Sequence, residues 1–140
     1  MTIFSLDSNI LVYAVDPKDE VKHHIAKQLL AQALEERCCI ATQVLGEFYN
    51  VVTRKQYASR EQAVQIITQW TELMEPVASS PEAFSKALAH VARTGTQFWD
   101  ALILATCAEH GVTKLYTEDI GAQTQAMGVR LNNPFKNLKS

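Results

Sequence analysis

The chain has 140 residues, 47% of them hydrophobic and 20% charged, with a formal net charge of −2. That length and balance predict one globular domain over residues 1–140 with its own core, and they exclude a disordered chain, a disulfide-stapled miniprotein and a generic basic nucleic-acid surface. No apolar run approaches the roughly 20 residues of a membrane span, and no secretory signal pattern opens the chain, which predicts a cytoplasmic protein.

Strand-like and helix-like stretches alternate from end to end. "TIFSLD" at residues 2–7 reads as a short buried strand, and "SNILVYAV" as a helix that stops at Asp16-Pro17, because proline restricts the residue before it. Residues 18–37 place Val21, Ile25, Leu29 and Ala33 four apart, with Leu30 and Leu34 beside them, the stripe of an amphipathic helix. "CCIA" offers a second strand, and Thr42 is placed to cap a helix with Val44, Leu45, Phe48, Val51 and Val52 on its apolar face. Ser59 and Gln62 have capping-box spacing ahead of a helix through Val64, Ile67 and Leu73, which "MEPVAS" breaks with a possible third strand. Ser80-Pro81 opens a helix through Phe84, Leu88 and Val91 that ends near Gly95, and "FWDALILATCAEHG" is a further helix closed by Gly111. "VTKLYTED" is a strand with an acidic end; a short helix to Gly128 and the strand "VRLNN" complete the chain. Strands separated by whole helices can be parallel neighbours, so the predicted fold is a three-layer α/β/α domain around a mostly parallel sheet of four to five strands. Such sheets bind ligands beyond the carboxyl ends of their strands.

Of the 15 acidic residues, most lie in polar helix faces, caps or turns and read as solvated charges. Four sit in apolar surroundings: Asp7, Glu47, Asp100 and Asp119. Asp7 and Asp119 fall at carboxyl ends of strands, Glu47 and Asp100 in the opening turns of helices. Each helix acid alone is explained by compensation of the helix dipole. All four together can converge on one edge of a parallel sheet, where like charges would raise each other's pKa values unless a cation joined them. The three cysteines and four histidines show no metal-ligand spacing, so zinc is not expected, and the histidines read as surface or half-buried groups. Oxygen ligands favour a hard ion, Mg²⁺ or Mn²⁺, and phosphodiester hydrolysis is the chemistry such an ion supports.

At these residues the sequence resembles the PIN-domain ribonucleases, in particular the VapC-type toxins of bacterial toxin–antitoxin pairs. The matching stretches are "LDSNILVYA", "ATQVLGEFYNVVTRK", "FWDALILATCAEHG" and "LYTEDI", in the family's order. The resemblance implies an acidic quartet of Asp7, Glu47, Asp100 and Asp119. Asp7 and Asp100 would be direct metal ligands, with Glu47 and Asp119 holding ligand waters, a second ion or the attacking water. Ser8, Asn9 and Thr117 match flanking polar positions that orient the carboxylates or contact phosphate; ordinary capping or turn chemistry is the alternative. Glu118 is set apart from Asp119 by strand alternation. The resemblance further implies a Mg²⁺-dependent endoribonuclease, a homodimer and a cognate antitoxin that blocks the site.

With the four site acids set aside, the remainder of the chain is mildly basic. Arg54, Lys55 and Arg60 can meet an RNA backbone or simply complete a helix C-terminus. Trp70 and Trp99 can stack on bases or fill the core, and Trp99 beside Asp100 is the better candidate. Two other functions stay open at this point: an aspartate-based phosphatase or phosphoacceptor with Asp7 as nucleophile, although Asn9 stands where a second acid is usual, and a non-catalytic interaction domain.

Overall fold

The computed structural model describes residues 3–119 and 124–136. Strand β1, Phe4–Leu6, is buried throughout and passes at Asp7 into helix α1, Ser8–Val15. Helix α2, Glu20–Glu35, starts from Asp19, whose side chain accepts the Lys22 N–H. There follow β2 at Cys39–Ala41, α3 at Thr42–Arg54, α4 at Arg60–Leu73, β3 at Glu75–Val77, α5 at Pro81–Thr94 and α6 at Phe98–Glu109. Strands β4 at Lys114–Tyr116, β5 at Gln125–Ala126 and β6 at Val129–Asn132 complete the described chain. Both bonds of the capping box expected at Ser59 and Gln62 are present, and α5 runs from its Ser80 cap to a left-handed Gly95 with φ 75°.

The main sheet has the order β1-β4-β6-β5, with β1, β4 and β6 parallel and β5 antiparallel to β6. β2 and β3 pair in parallel as a separate two-stranded sheet. Ser5 Oγ, in β1, donates to the Cys39 carbonyl at 2.7 Å and ties the two sheets together. The sheet is therefore mostly parallel, as expected, with β5 as its one antiparallel strand among the described residues. The short helix expected before Gly128 lies in part outside the described residues, at positions 120–123. Its later part is β5 instead, joined to β6 by Met127 and Gly128, both left-handed, as a two-residue hairpin turn requires.

The largest side chains with no exposure are Phe48, Leu6, Ile10, Leu11, Ile40, Val44 and Val52, which gather where α1 and α3 meet the sheets. Trp70 belongs to this core, its ring 4.8 Å from that of Phe48, and is not available to stack on a base. Several predicted stripe residues prove to be exposed: Val21, Val64, Leu73, Phe84 and Leu88. In their place Ala26, Ala33, Ala63, Ala83 and Ala87 are buried, because small residues let helices approach closely and turn the contact face away from the bulkiest side chains. Ala83 and Ala87 of α5 pack with Ala101, Leu102 and Ala105 of α6 into a second small core. Thr42 does not cap α3: Ala41 holds that position with no side-chain bond, and Thr42 is the first helical residue. His90, expected near the surface, is buried, with its ring nitrogens 3.3 Å from Arg93 Nη2 and 3.3 Å from Thr96 Oγ1. Burial pushes the Cys38 and Cys107 thiols up to about 11 and about 12, which leaves them unreactive. Among the described residues no helix is long and apolar enough to cross a membrane.

Candidate active site

The parallel ladder extends one residue past the strands and then stops. Asp7 N donates to the Tyr116 carbonyl at 2.9 Å, and Thr117 N to that of Asn132 at 2.9 Å. Asp7 and Thr117 thus stand side by side at the carboxyl edge of β1 and β4. Asp7 caps α1: its Oδ1 accepts Ser8 N at 2.7 Å, and its Oδ2 accepts the Thr117 hydroxyl at 2.8 Å. The Thr117 oxygen in turn accepts Asp119 N at 3.1 Å and Asn9 Nδ2 at 3.4 Å. That exhausts the capacity of a hydroxyl. Asn9 Oδ1 accepts Glu118 N at 3.3 Å, so Ser8-Asn9 and residues 117–119 are laced into one turn-to-turn unit. The opening Asp-Ser-Asn run is a helix cap and part of a site at once.

Glu47 enters from the second turn of α3. Its Oε2 accepts Ser8 Oγ at 3.1 Å and its Oε1 accepts Gln43 Nε2 at 2.8 Å. Gln43 Nε2 also donates to the Trp99 carbonyl at 3.2 Å, bracing α3 against the start of α6. Asp100 lies in the first turn of α6, where the Gln97 side chain accepts Asp100 N at 3.1 Å. Among the described residues no donor reaches the Asp100 carboxylate. Sequence reasoning missed Gln43 and Gln97, yet a shared pattern marks them: each follows a threonine and stands one helical turn ahead of a site acid.

The four acids share one field. Burial, which strips water from the carboxylate and is only partly offset by the Ser8 and Thr117 bonds, brings Asp7 up to about 6, with further repulsion from Glu47 and Asp100. Asp100 is raised too, by burial first and then by the charges of Asp119 and Glu47. A cleft of about 560 Å³ is lined by Gln43, Glu47, Gln97, Trp99, Asp100 and Asp119, without a basic side chain among these described residues. Within it Gln43 Oε1 is buried with no donor. Three carboxylates and an orphaned amide oxygen in one cleft fit a hard divalent cation and its waters by donor chemistry. The side chains are not closed around such an ion: among the described residues no three His, Cys, Asp or Glu groups form a ready coordination sphere. The elements that carry the acids converge, while among the described residues their side chains are not gathered into one sphere.

Glu118 lies in a bend just past β4 and turns from the other acids into bonds with Tyr13 Oη at 2.8 Å and the Lys22 ammonium. Trp99 is 55% exposed at the cleft wall. The three basic residues singled out in the sequence separate: Arg54 and Arg60 line a cleft of about 520 Å³ with Tyr49, Asn50 and Thr53, whereas Lys55 lines a groove that contains Ser8 and Asn9.

A family model described as PIN domain matches residues 5–125. Among solved structures the fold is similar to that of VapC20 from Mycobacterium tuberculosis, described as a Sarcin-Ricin loop cleaving toxin, at 19% identity and TM-score 0.70 over 92% of this chain and 99% of that one. It is similar to DNA-bound VapBC from Salmonella typhimurium at 19% identity and TM-score 0.70, over 96% of this chain and 99% of that one. VapBC2 from Rickettsia felis, bound to a DNA fragment from their promoter, matches at 19% identity and TM-score 0.68, over 94% of this chain and 98% of that one. Curated proteins contain no sequence match.

Proposed function

We propose, for a chain that belongs to the PIN-domain family, that it is a metal-dependent endoribonuclease and the toxin of a toxin–antitoxin pair. The observation that carries this reading is the shared field of Asp7, Glu47, Asp100 and Asp119, four acids from four parts of the chain, the last three lining a cleft with no basic group among its described residues. Bound Mg²⁺ or Mn²⁺ would polarise the phosphoryl group and lower the pKa of an attacking water. Asp7 and Asp100 are the residues proposed to hold the ion, with Glu47 and Asp119 holding its waters.

The protein's own contribution is to hold these groups still. Ser8 N and Thr117 Oγ1 spend a bond on each Asp7 oxygen, which keeps that carboxylate charged against its burial and fixes its direction. Ser8 Oγ and Gln43 Nε2 do the same for Glu47. The phosphoacceptor alternative has less support, because Asn9 is engaged with Thr117 and Glu118 instead of supplying an acid beside Asp7.

A protein antitoxin, a homodimer and a cytoplasmic setting form part of the same proposal; the neighbours in VapBC assemblies, among them a toxin–antitoxin complex from Klebsiella pneumoniae, support the partner. The test is cleavage of total RNA by the purified chain with Mg²⁺, with EDTA, and by Asp100→Asn. Cutting is expected in the first case alone, and cutting that persists with either of the others rejects the mechanism.

A further inference from the structure

The groove that receives Lys55 carries a feature the acid cleft lacks. It has a volume of about 220 Å³ and runs between α1 and α3, with Ser8 and Asn9 at one end and Lys55 and Tyr57 at the other. Its first end is continuous with the catalytic edge, since Ser8 bonds Glu47 and Asn9 bonds Thr117. Pockets for whole drug-sized ligands measure roughly 300–1,000 Å³, so this one accommodates a fragment such as a single base.

Its far end is built with care. Helix α3 finishes in a Schellman turn, with Tyr57 N donating to the Val52 carbonyl at 2.9 Å and Gln56 N to that of Thr53 at 3.2 Å. Gln56 occupies the left-handed position of that turn at φ 62°, where glycine is usual. This strained residue presents Tyr57 at the groove mouth with two ammonium groups over its ring: Lys18 Nζ at 5.3 Å and Lys55 Nζ at 6.0 Å from the centroid. Tyr57 is half-buried, while both lysines are exposed. The one acid among the groove residues, Asp16, is engaged at its Oδ1 by the Lys18 N–H.

We propose that this groove leads an unpaired RNA strand away from the cleaved bond, with Tyr57 as the stacking platform for a nucleotide about two positions along it and Lys18 and Lys55 as the phosphate contacts. The proposal rests on the ribonuclease reading and deepens it by locating a base-stacking subsite at Tyr57. A base that stacks on the ring displaces an ammonium, which then meets that nucleotide's phosphate. The exchange favours RNA, because base stacking on an aromatic ring is worth more than an exposed cation–π contact. A duplex keeps its bases stacked inside and gains nothing from the ring.

The experiment measures anisotropy of a fluorescein-labelled, unstructured RNA of roughly 12 nucleotides with the full chain, Ca²⁺ replacing Mg²⁺ and RNA integrity checked on a gel. Tyr57→Ala is expected to weaken binding roughly 5- to 50-fold, Tyr57→Phe to stay within about twofold, and a duplex of the same sequence to be indifferent to either change. The double variant Lys18→Gln with Lys55→Gln should flatten the log affinity against log salt slope by roughly 1.4, the share of two single-strand phosphates. Lys86→Gln, an exposed charge on α5, is the control expected to change nothing. Unaltered affinity in a folded Tyr57→Ala overturns the proposal, and if that variant does not fold, an unaltered salt slope in the lysine double variant does so. If these variants bind RNA normally but lose a co-expressed antitoxin, the groove belongs to a protein partner and the RNA subsite is rejected. Failure here leaves the metal-dependent cleavage assay with Asp100→Asn unaffected, so the two readings fall separately.

Discussion

Asp7 stands at a strand end and Asp100 in the first turn of a helix, close enough for the charge of Asp100 to act on Asp7, and the chain treats them differently. The strand-side acid has both oxygens engaged by Ser8 and Thr117 and is raised to about 6 by its burial. The helix-side acid is exposed, and among the described residues its carboxylate has no donor. The strand-side acid is thus held in place and carries an energetic penalty for its burial, whereas the helix-side acid is without such support among the described residues.

The largest expected effects treat both acids alike. Asp7→Asn and Asp100→Asn should each lower RNA cleavage by roughly 10³-fold, since each removes a proposed metal ligand. A variant of either that still cuts at a tenth of the normal rate would remove that acid from the mechanism.

Stability should separate them. In EDTA the folded pKa of Asp7, about 6, lies above the ordinary aspartate value of 3.8, so the folded state holds its proton more tightly and the group's charge destabilises the fold. The sign follows: the penalty is complete above about pH 7, shrinks as pH falls through the folded value, and is gone below about pH 4, an effect of up to about 3 kcal/mol. Asp7→Asn keeps an acceptor for the Ser8 N–H but sets an NH2 where Oδ2 accepted the Thr117 hydroxyl, so it should flatten this pH dependence and raise the metal-free Tm at neutral pH by less than the full penalty. Asp100→Asn should move the Tm in the same direction but less, because water screens an exposed group. Thermal melts from pH 4 to pH 8 check both.

Binding of Mn²⁺ sharpens the contrast next. At a hundred times its Kd the ion should add about 2.7 kcal/mol of stability, and that gain should vanish in both variants. Calorimetry with Mn²⁺ that gives no heat with the unaltered chain would count against the metal reading.

Smaller effects test the supports. Thr117 is 2% exposed and connects Asp7, Asn9 and Asp119, so Thr117→Val should destabilise the fold by about 1–3 kcal/mol, with Thr117→Ser retaining most of it. On the helix side Gln97→Ala removes only the cap of α6 and should cost about 0.5–1 kcal/mol in chemical denaturation, leaving the Asp7 pH profile as it was.

Much of this was legible from residues in order. Strand and helix alternation, the capping box at Ser59, the proline-to-glycine bounds of α5 and the four acids at element openings are all local signals, because caps, dihedrals and turn residues act within a few positions of themselves. Where the reading failed, the deciding partner was distant. Phe84 and Leu88 have the spacing of a core stripe, yet α6 offers alanines, and close approach of two backbones buries Ala83 and Ala87 in their stead. Thr42 has the chemistry of a cap, but Ala41 reaches the boundary first at the end of β2. Arg54, Lys55 and Arg60 are neighbours in the chain and look to different clefts, since the turn after α3 divides them.

By itself, then, the order of residues determined which acids were candidates and which elements carried them. Tertiary structure alone decided that Thr117 bonds Asp7 from 110 positions away, that Gln43 braces Trp99, and that Tyr57 lies along the groove from Ser8. The physical reason is that capping and periodicity are short-ranged, whereas burial of a carboxylate and the field it feels depend on every element packed against it.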